Sequence, residues 1–405
     1  MKSLTPYSTT CVTRIPSPSR SGRGRGVGIL FLLISLSLFS CSSDDDTPKD
    51  TDYAKTVFIY MPWTGSETSS FGSLLNFFNK NLSDIQSAMK SDADNHNVRA
   101  IVFLASDSNN GSLFEMKPDG TKQTIKEYDS GEMTTTQALS SLLTEVYSYS
   151  PTPIFSMIIG SHADGWLPAG SIPQRSRSFG GQTKAMKTDI ETLAEAIESS
   201  PIKKMQYVCF DDCYMANVET TYAMRNATDW FIASTSEIMG DGLPYGTIWK
   251  YLSAVTPDYS KIVDGYGAFY STFSSPYGSL ATIDCSKIGN LADLMRNFNK
   301  KYDQISSDQL RQVQVLDGYS NHVFYDLGNY VSVVCNGDTA SNSALFQAIS
   351  QVAPYKFCTP ELYTVYQIPS TYSVSHFSGI TISDPSQNAA AIDAKKQTAW
   401  WKATH

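Results

Sequence analysis

No run of about 20 apolar residues occurs in the 405-residue sequence, so no segment is long enough to cross a bilayer as a helix. No Cys-x-x-Cys or Cys/His ligand spacing is present, which argues against a zinc site. Beyond residue 41 the cysteines are Cys209, Cys213, Cys285, Cys335 and Cys358. Their odd number argues against a disulfide framework and leaves at least one thiol to explain. GxSxG, HExxH, GxGxxG and GxxxxGK[ST] are all missing, so serine-hydrolase, zincin, dinucleotide and P-loop readings find no support. Asp44-Asp45-Asp46 lacks the spacing of a calcium loop, and no internal repeat is visible. Charged residues are only 17% of the chain, with a formal net charge of -8. An acidic body repels phosphate, so nucleic acid is not an expected partner, whereas cationic peptides are weakly attracted.

What is present begins with a targeting pattern. Arg20, Arg23 and Arg25 precede the apolar run Val27–Phe39, which suits a secretory h-region. The following Leu38-Phe39-Ser40-Cys41 resembles a bacterial lipobox, which implies lipidation of Cys41 after removal of residues 1–40. Ser42-Ser43-Asp44-Asp45-Asp46 resembles the export tag of Bacteroidetes surface lipoproteins and also reads as a solvated linker over 41–54. The expected location is therefore the cell envelope, as an outer-membrane lipoprotein facing the surface or the periplasm. The lipid anchor is the expected membrane contact.

From Lys55 the chain alternates. Lys55–Trp63, Val98–Ala105, Ile154–Gly160, Met205–Phe210 and Trp230–Ser234 read as buried strands. Ser73–Lys90, Thr135–Tyr149, Met186–Glu198 and Ala216–Arg225 carry helical spacing of apolar positions. This alternation predicts an α/β fold with a mostly parallel sheet covered by helices on both faces, over a core of 55–250. Ser106–Tyr128, with its Asp-Gly turn, reads as a hairpin excursion. Residues 251–405 are less regular and read as an α+β subdomain or an elaboration of the same domain.

In such sheets reactive side chains sit beyond the carboxyl ends of strands. Two predicted ends carry suitable residues: Gly160-Ser161-His162-Ala163-Asp164 and Phe210-Asp211-Asp212-Cys213. A thiolate is the attacking species of a cysteine nucleophile, and an imidazole can help form it. Cys213 also precedes a predicted helix, whose N-terminus would favour a thiolate. Taken alone, a cysteine at a strand end is more often a small buried hydrophobe.

The surrounding blocks add information. Ser161-His162-Ala163-Asp164-Gly165-Trp166, Phe210-Asp211-Asp212-Cys213-Tyr214-Met215 and Gly240-Asp241-Gly242-Leu243-Pro244-Tyr245 occur in the order of clostripain-family motifs. The chain resembles that family of cysteine peptidases from about Lys55 to Tyr245, and more faintly at Tyr325-Asp326-Leu327 and His376–Ile382. The resemblance implies a caspase-like fold and cleavage after Arg or Lys in peptide substrates with a basic P1. By position it implies Cys213 as nucleophile, His162 as general acid/base, and backbone N–H groups of Ala163 and Cys213 for the oxyanion. Asp211 matches the S1 acid, with Asp212 then read as a helix cap. Asp241, Gly242 and Tyr245 belong to a loop expected to wall the cleft. Arg175, Arg177, Lys184 and Lys187 are candidate self-processing positions within 167–188. The family requires no cofactor by this reading, and calcium is known in parts of it without ligands that can be named here. Ala163 stands where the family has Gly, and Asp212 where it has Ala. Those two departures support an alternative: a weak or inactive surface lipoprotein binding peptide or glycan on a peptidase fold.

Overall fold

A computed structural model describes residues 53–92, 97–169, 179–302 and 305–405 of the protein. The central sheet has nine strands. In chain order these include β1 (Lys55–Met61), β2 (Val98–Asp107), β3 (Asn110–Met116), β4 (Lys122–Tyr128) and β5 (Ile154–Gly160). Three short strands follow outside that sheet: β6 (His162–Ala163), β7 (Phe179–Gly180) and β8 (Lys187–Thr188). The sheet resumes with β9 (Met205–Asp211), β10 (Thr228–Ala233) and β11 (Ser279–Asp284). β12 (Tyr325–Asp326) pairs separately with Thr381–Ile382, and β13 (Tyr355–Cys358) closes one edge of the main sheet. The order is β13-β11-β10-β9-β5-β1-β2-β3-β4, with the five strands from β10 to β2 parallel and the edges antiparallel.

The parallel centre follows from its apolar runs, because a strand covered on both faces needs no polar alternation. In β1, Phe58 and Tyr60 enter one core while Val57, Ile59 and Met61 enter the other. The first core is roofed by α2 (Thr136–Tyr149), α3 (Ile190–Ser199), α4 (Val218–Met224) and α7 (Ile288–Lys301). The second is roofed by α1 (Leu75–Ser91), α5 (Tyr245–Ser253) and α6 (Tyr259–Tyr270). Each fully buried Ile, Leu or Phe contributes roughly 1.5–3 kcal/mol relative to exposure. The part beyond residue 250 supplies β11 and β13 to the same sheet.

Helix starts differ from the periodicity in two places that matter for the site. The predicted helix from Met186 begins only at Ile190, because Lys187 and Thr188 pair with β7 as β8. The predicted helix from Ala216 begins at Val218, where the Asn217 side chain accepts the Thr220 N–H at 2.6 Å and caps it.

The small sheet β6-β7-β8 depends on one glycine. Gly180 has φ of +132°, and a Cβ there would lie 2.1 Å from the Met186 carbonyl oxygen. Gly180→Ala should therefore cost roughly 1–3 kcal/mol of stability in urea unfolding, with loss of any activity that depends on this sheet.

Candidate active site

β5 and β9 are parallel neighbours, and Gly160 pairs with Asp211. His162 and Cys213 each lie two residues beyond that pair. The register thus delivers both side chains to the same level at the carboxyl end of the sheet, as the sequence predicts. Both line a cavity of about 450 Å³ together with Ala163, Asp164, Lys187, Glu237 and Tyr366. Both also line a second cavity of about 210 Å³ that contains Asp211.

The two strand ends are tied by a side chain. Asp212 is buried and accepts the Ser161 backbone N–H at 2.5 Å and its hydroxyl at 3.0 Å. This corrects the expected capping role, since Asp212 joins β9 to β5 and Asn217 caps the helix. Burial pushes the Asp212 carboxyl well up, Asp211 adds to the rise, and the Ser161 hydrogen bonds oppose it.

The expected helix N-terminus beside the thiol is also corrected. Three residues separate Cys213 from Asn217, the cap of α4, and the Cys213 Sγ instead accepts the Ile238 N–H at 3.3 Å. The intervening Tyr214 has φ of +63°, an uncommon state for a non-glycine residue. It is held there by stacking on Phe324 (4.9 Å between centroids), by its hydroxyl on Glu237 (2.9 Å) and by its N–H on the Ser236 carbonyl (3.0 Å). Burial raises the Cys213 thiol well above its ordinary range. Glu237 is the carboxylate that adds most to this, ahead of Asp164 and Asp212, while the Ile238 N–H opposes.

His162 is tethered through Nε2, which lies 2.6 Å from the Gly72 carbonyl oxygen. A carbonyl only accepts, so Nε2 bears the proton and Nδ1 is the basic nitrogen of the neutral ring. Burial lowers the imidazole pKa, the Gly72 bond opposes this, and the Lys187 charge lowers it further. Ala163, in β6, is outside the positive-φ residues, so the residue that replaces Gly carries no left-handed strain.

In the smaller cavity Asp211 Oδ2 accepts the Tyr245 hydroxyl at 3.0 Å and the Asn81 amide at 3.5 Å. Its Oδ1 is buried without a well-formed hydrogen bond. Burial pushes this carboxyl up to about 6, against the backbone N–H of Leu243 and the Tyr245 hydroxyl. Gly242 closes over it with φ of +66°, where a Cβ would meet Asp211 Oδ2 at 2.7 Å. Of the predicted cleft loop, Gly242 lines this cavity, Tyr245 acts through its hydroxyl, and Asp241 lines neither cavity.

The candidate processing positions separate. Arg175 and Arg177 lie outside the described residues, as does Cys41. Lys184 is exposed on a short 3-10 turn. Lys187 is buried, with its ammonium 3.6 Å from Asp164. Among the described residues, no three His, Cys, Asp or Glu side chains are arranged to hold a metal. Sequence reasoning passed over Glu237, and nothing in its Ser-Glu-Ile surroundings marks it. It also passed over the cavity wall of Tyr363, Val365 and Tyr366, which only the fold brings to Cys213.

The chain matches the clostripain family model, Peptidase_C11, over residues 65–386. It is similar to the secreted C11 cysteine protease "iotapain" of Bacteroides thetaiotaomicron at 37% identity, covering 87% of this chain and 99% of that one, with a TM-score of 0.80. A clostripain from Bacteroides thetaiotaomicron in complex with the peptide inhibitor BTN-VLTK-AOMK is 41% identical, covering 56% of this chain and 99% of that one, with a TM-score of 0.53. An inactive zymogen C11 protease from Parabacteroides distasonis shares the fold at 22% identity, covering 87% and 99% of the two chains, with a TM-score of 0.72. No curated protein sequence matches the chain. The mostly parallel sheet clad by helices, the family match across most of the sequence and the likeness to iotapain lead to one assignment: this chain belongs to the clostripain family of cysteine peptidases.

Proposed function

We propose that the protein is a secreted, lipid-anchored endopeptidase that cuts after Arg or Lys with Cys213 and His162 as its dyad. The observation that carries this reading is the small cavity in which a buried carboxylate, Asp211, faces the space beside both residues. A desolvated guanidinium or ammonium needs a paired charge, and Asp211 offers an oxygen with a vacant lone pair. The inhibitor held by the 41%-identical clostripain, whose peptide ends in Lys, supports the same preference.

At rest both groups of the dyad are pushed toward neutrality by burial. With Nε2–H held by Gly72, Nδ1 takes the thiol proton as the substrate carbonyl approaches, and sulfur attacks its carbon. The oxyanion of the tetrahedral intermediate accepts from the backbone N–H groups of Ala163 and Cys213. Collapse breaks the C–N bond, and the imidazolium gives its proton to the leaving amine. Water then hydrolyses the thioester with the same ring as base. The two features that favoured a non-cutting protein lose their force, because Ala163 is unstrained and Asp212 is occupied by Ser161.

Self-processing within 167–188 belongs to this proposal. The 41%-identical clostripain chain aligns with only 56% of this sequence along 99% of its own length, as a cut subunit would. Arg175, Arg177 and the exposed Lys184 are the candidate points; Lys187 is set aside by its burial. Lipidation of Cys41 would hold the mature protein to the envelope.

Four outcomes are expected. Cys213→Ala should abolish hydrolysis of fluorogenic peptides ending in Arg or Lys and should remain one band on denaturing gels; turnover that survives would remove Cys213 from the mechanism. For wild type, kcat/KM on a basic P1 should rise as pH increases through about 6, because Asp211 must ionise to receive the cation. Asp211→Asn should flatten that limb and reduce basic over neutral P1 preference by roughly 30-fold or more, read from paired substrates. Cys41→Ser should move the protein from the membrane fraction to the soluble fraction on cell fractionation.

A further inference from the structure

Across the small sheet, His162 pairs with Gly180 and Gly180 pairs with Lys187. Residues paired across strands project from one face, so His162 and Lys187 share a face about 10 Å apart at the backbone. Between them stands a residue without a side chain. The Lys187 ammonium lies 3.6 Å from Asp164 Oδ2, two residues after His162. The Lys187 side chain is only 3% exposed. Asp164 is fixed in turn by the hydroxyls of Tyr319 at 3.0 Å and Tyr366 at 3.3 Å. Lys187, Asp164, His162 and Cys213 all line the larger cavity.

Groups from every packed element face this point. His162 and Asp164 come from β6 and the turn after it, Asp212 and Cys213 from beyond β9, and Glu237 from the loop after β10. Tyr319 and Tyr366 come from the C-terminal part. Burial lowers the Lys187 pKa, and Asp164, Cys213 and Asp212 hold it up. Around the thiol the carboxyls of Glu237, Asp164 and Asp212 all oppose a thiolate. A thiolate formed there adds another negative charge to a low-dielectric cavity, where like charges are costly.

We propose that Lys187 is a positioning residue that fixes Asp164 and holds a positive charge beside Cys213, so that the thiolate can form among carboxyls. The inference rests on Cys213 being the nucleophile, and it goes beyond the dyad by giving a buried lysine an electrostatic task.

The test compares Lys187→Gln, which keeps a donor toward Asp164 but no charge, Lys187→Met, which keeps the length, and Lys187→Arg, which keeps the charge. Iodoacetamide labelling of Cys213 is followed by peptide mass from about pH 5 to 10, with thermal melts as a check on folding. Either neutral variant that folds decides the question. Both should raise the labelling midpoint by about one pH unit, which is about tenfold slower labelling near pH 7, with a matching fall in kcat and little change in KM. The Arg variant should stay close to wild type. Neutral variants whose midpoints superimpose on wild type overturn the proposal, as does an Arg variant as slow as Gln. Turnover retained by Cys213→Ala would instead defeat the nucleophile assignment, which the labelling of Cys213 in the Lys187 variants does not depend on.

Discussion

The site depends on the bond between Asp212 and Ser161. Parallel strands bring their ends together only approximately, because each end is where ladder hydrogen bonds stop. Here the carboxyl of Asp212 takes both the N–H and the hydroxyl of Ser161, continuing the connection one residue past the last ladder pair. His162 and Cys213 are the next residue on each chain. A charge-capable group buried at this point would normally be a liability. Its cost is offset by two hydrogen bonds and by the fixed separation they impose on the two strand ends.

Burial sets the electrical state of the whole cavity. It is the first cause acting on His162, Lys187, Asp211, Asp212, Cys213 and Glu237, and in each it favours the uncharged form. On the proposed reading, a cationic side chain entering the smaller cavity would pair with Asp211 and displace water from beside the thiol, so binding and activation would draw on the same desolvation. The same segment, Ile238 to Gly240, walls both cavities, and Ile238 donates to sulfur.

Much of this was legible in the sequence. The doubly buried strands announce themselves as apolar runs, and His162 and Cys213 stand just past two of them. The His-Ala-Asp-Gly-Trp and Asp-Asp-Cys-Tyr-Met blocks carry the family resemblance. The helix starts were misjudged because Met186 to Thr188 has an apolar rhythm compatible with either a helix or a short strand, and only pairing with Gly180 decides between them. Asp212 looked like a cap because local sequence cannot show a partner 51 residues away. The burial of Lys187 is likewise a product of long-range contact, since lysines are mostly exposed. Glu237 and the Tyr363–Tyr366 wall are products of long-range contact, which composition and spacing do not record.

The wall has a temporal consequence. Glu237, whose carboxylate touches the Tyr214 hydroxyl, also accepts the backbone N–H of Val365, and Tyr319 and Tyr366 brace Asp164. These partners, Tyr319, Val365 and Tyr366, lie more than a hundred residues after Cys213 in the order of synthesis. A chain that has emerged only as far as Cys213 therefore holds this thiol without its cavity. The cavity is therefore complete only once the segment through Tyr366 has joined the strand ends that carry His162 and Cys213.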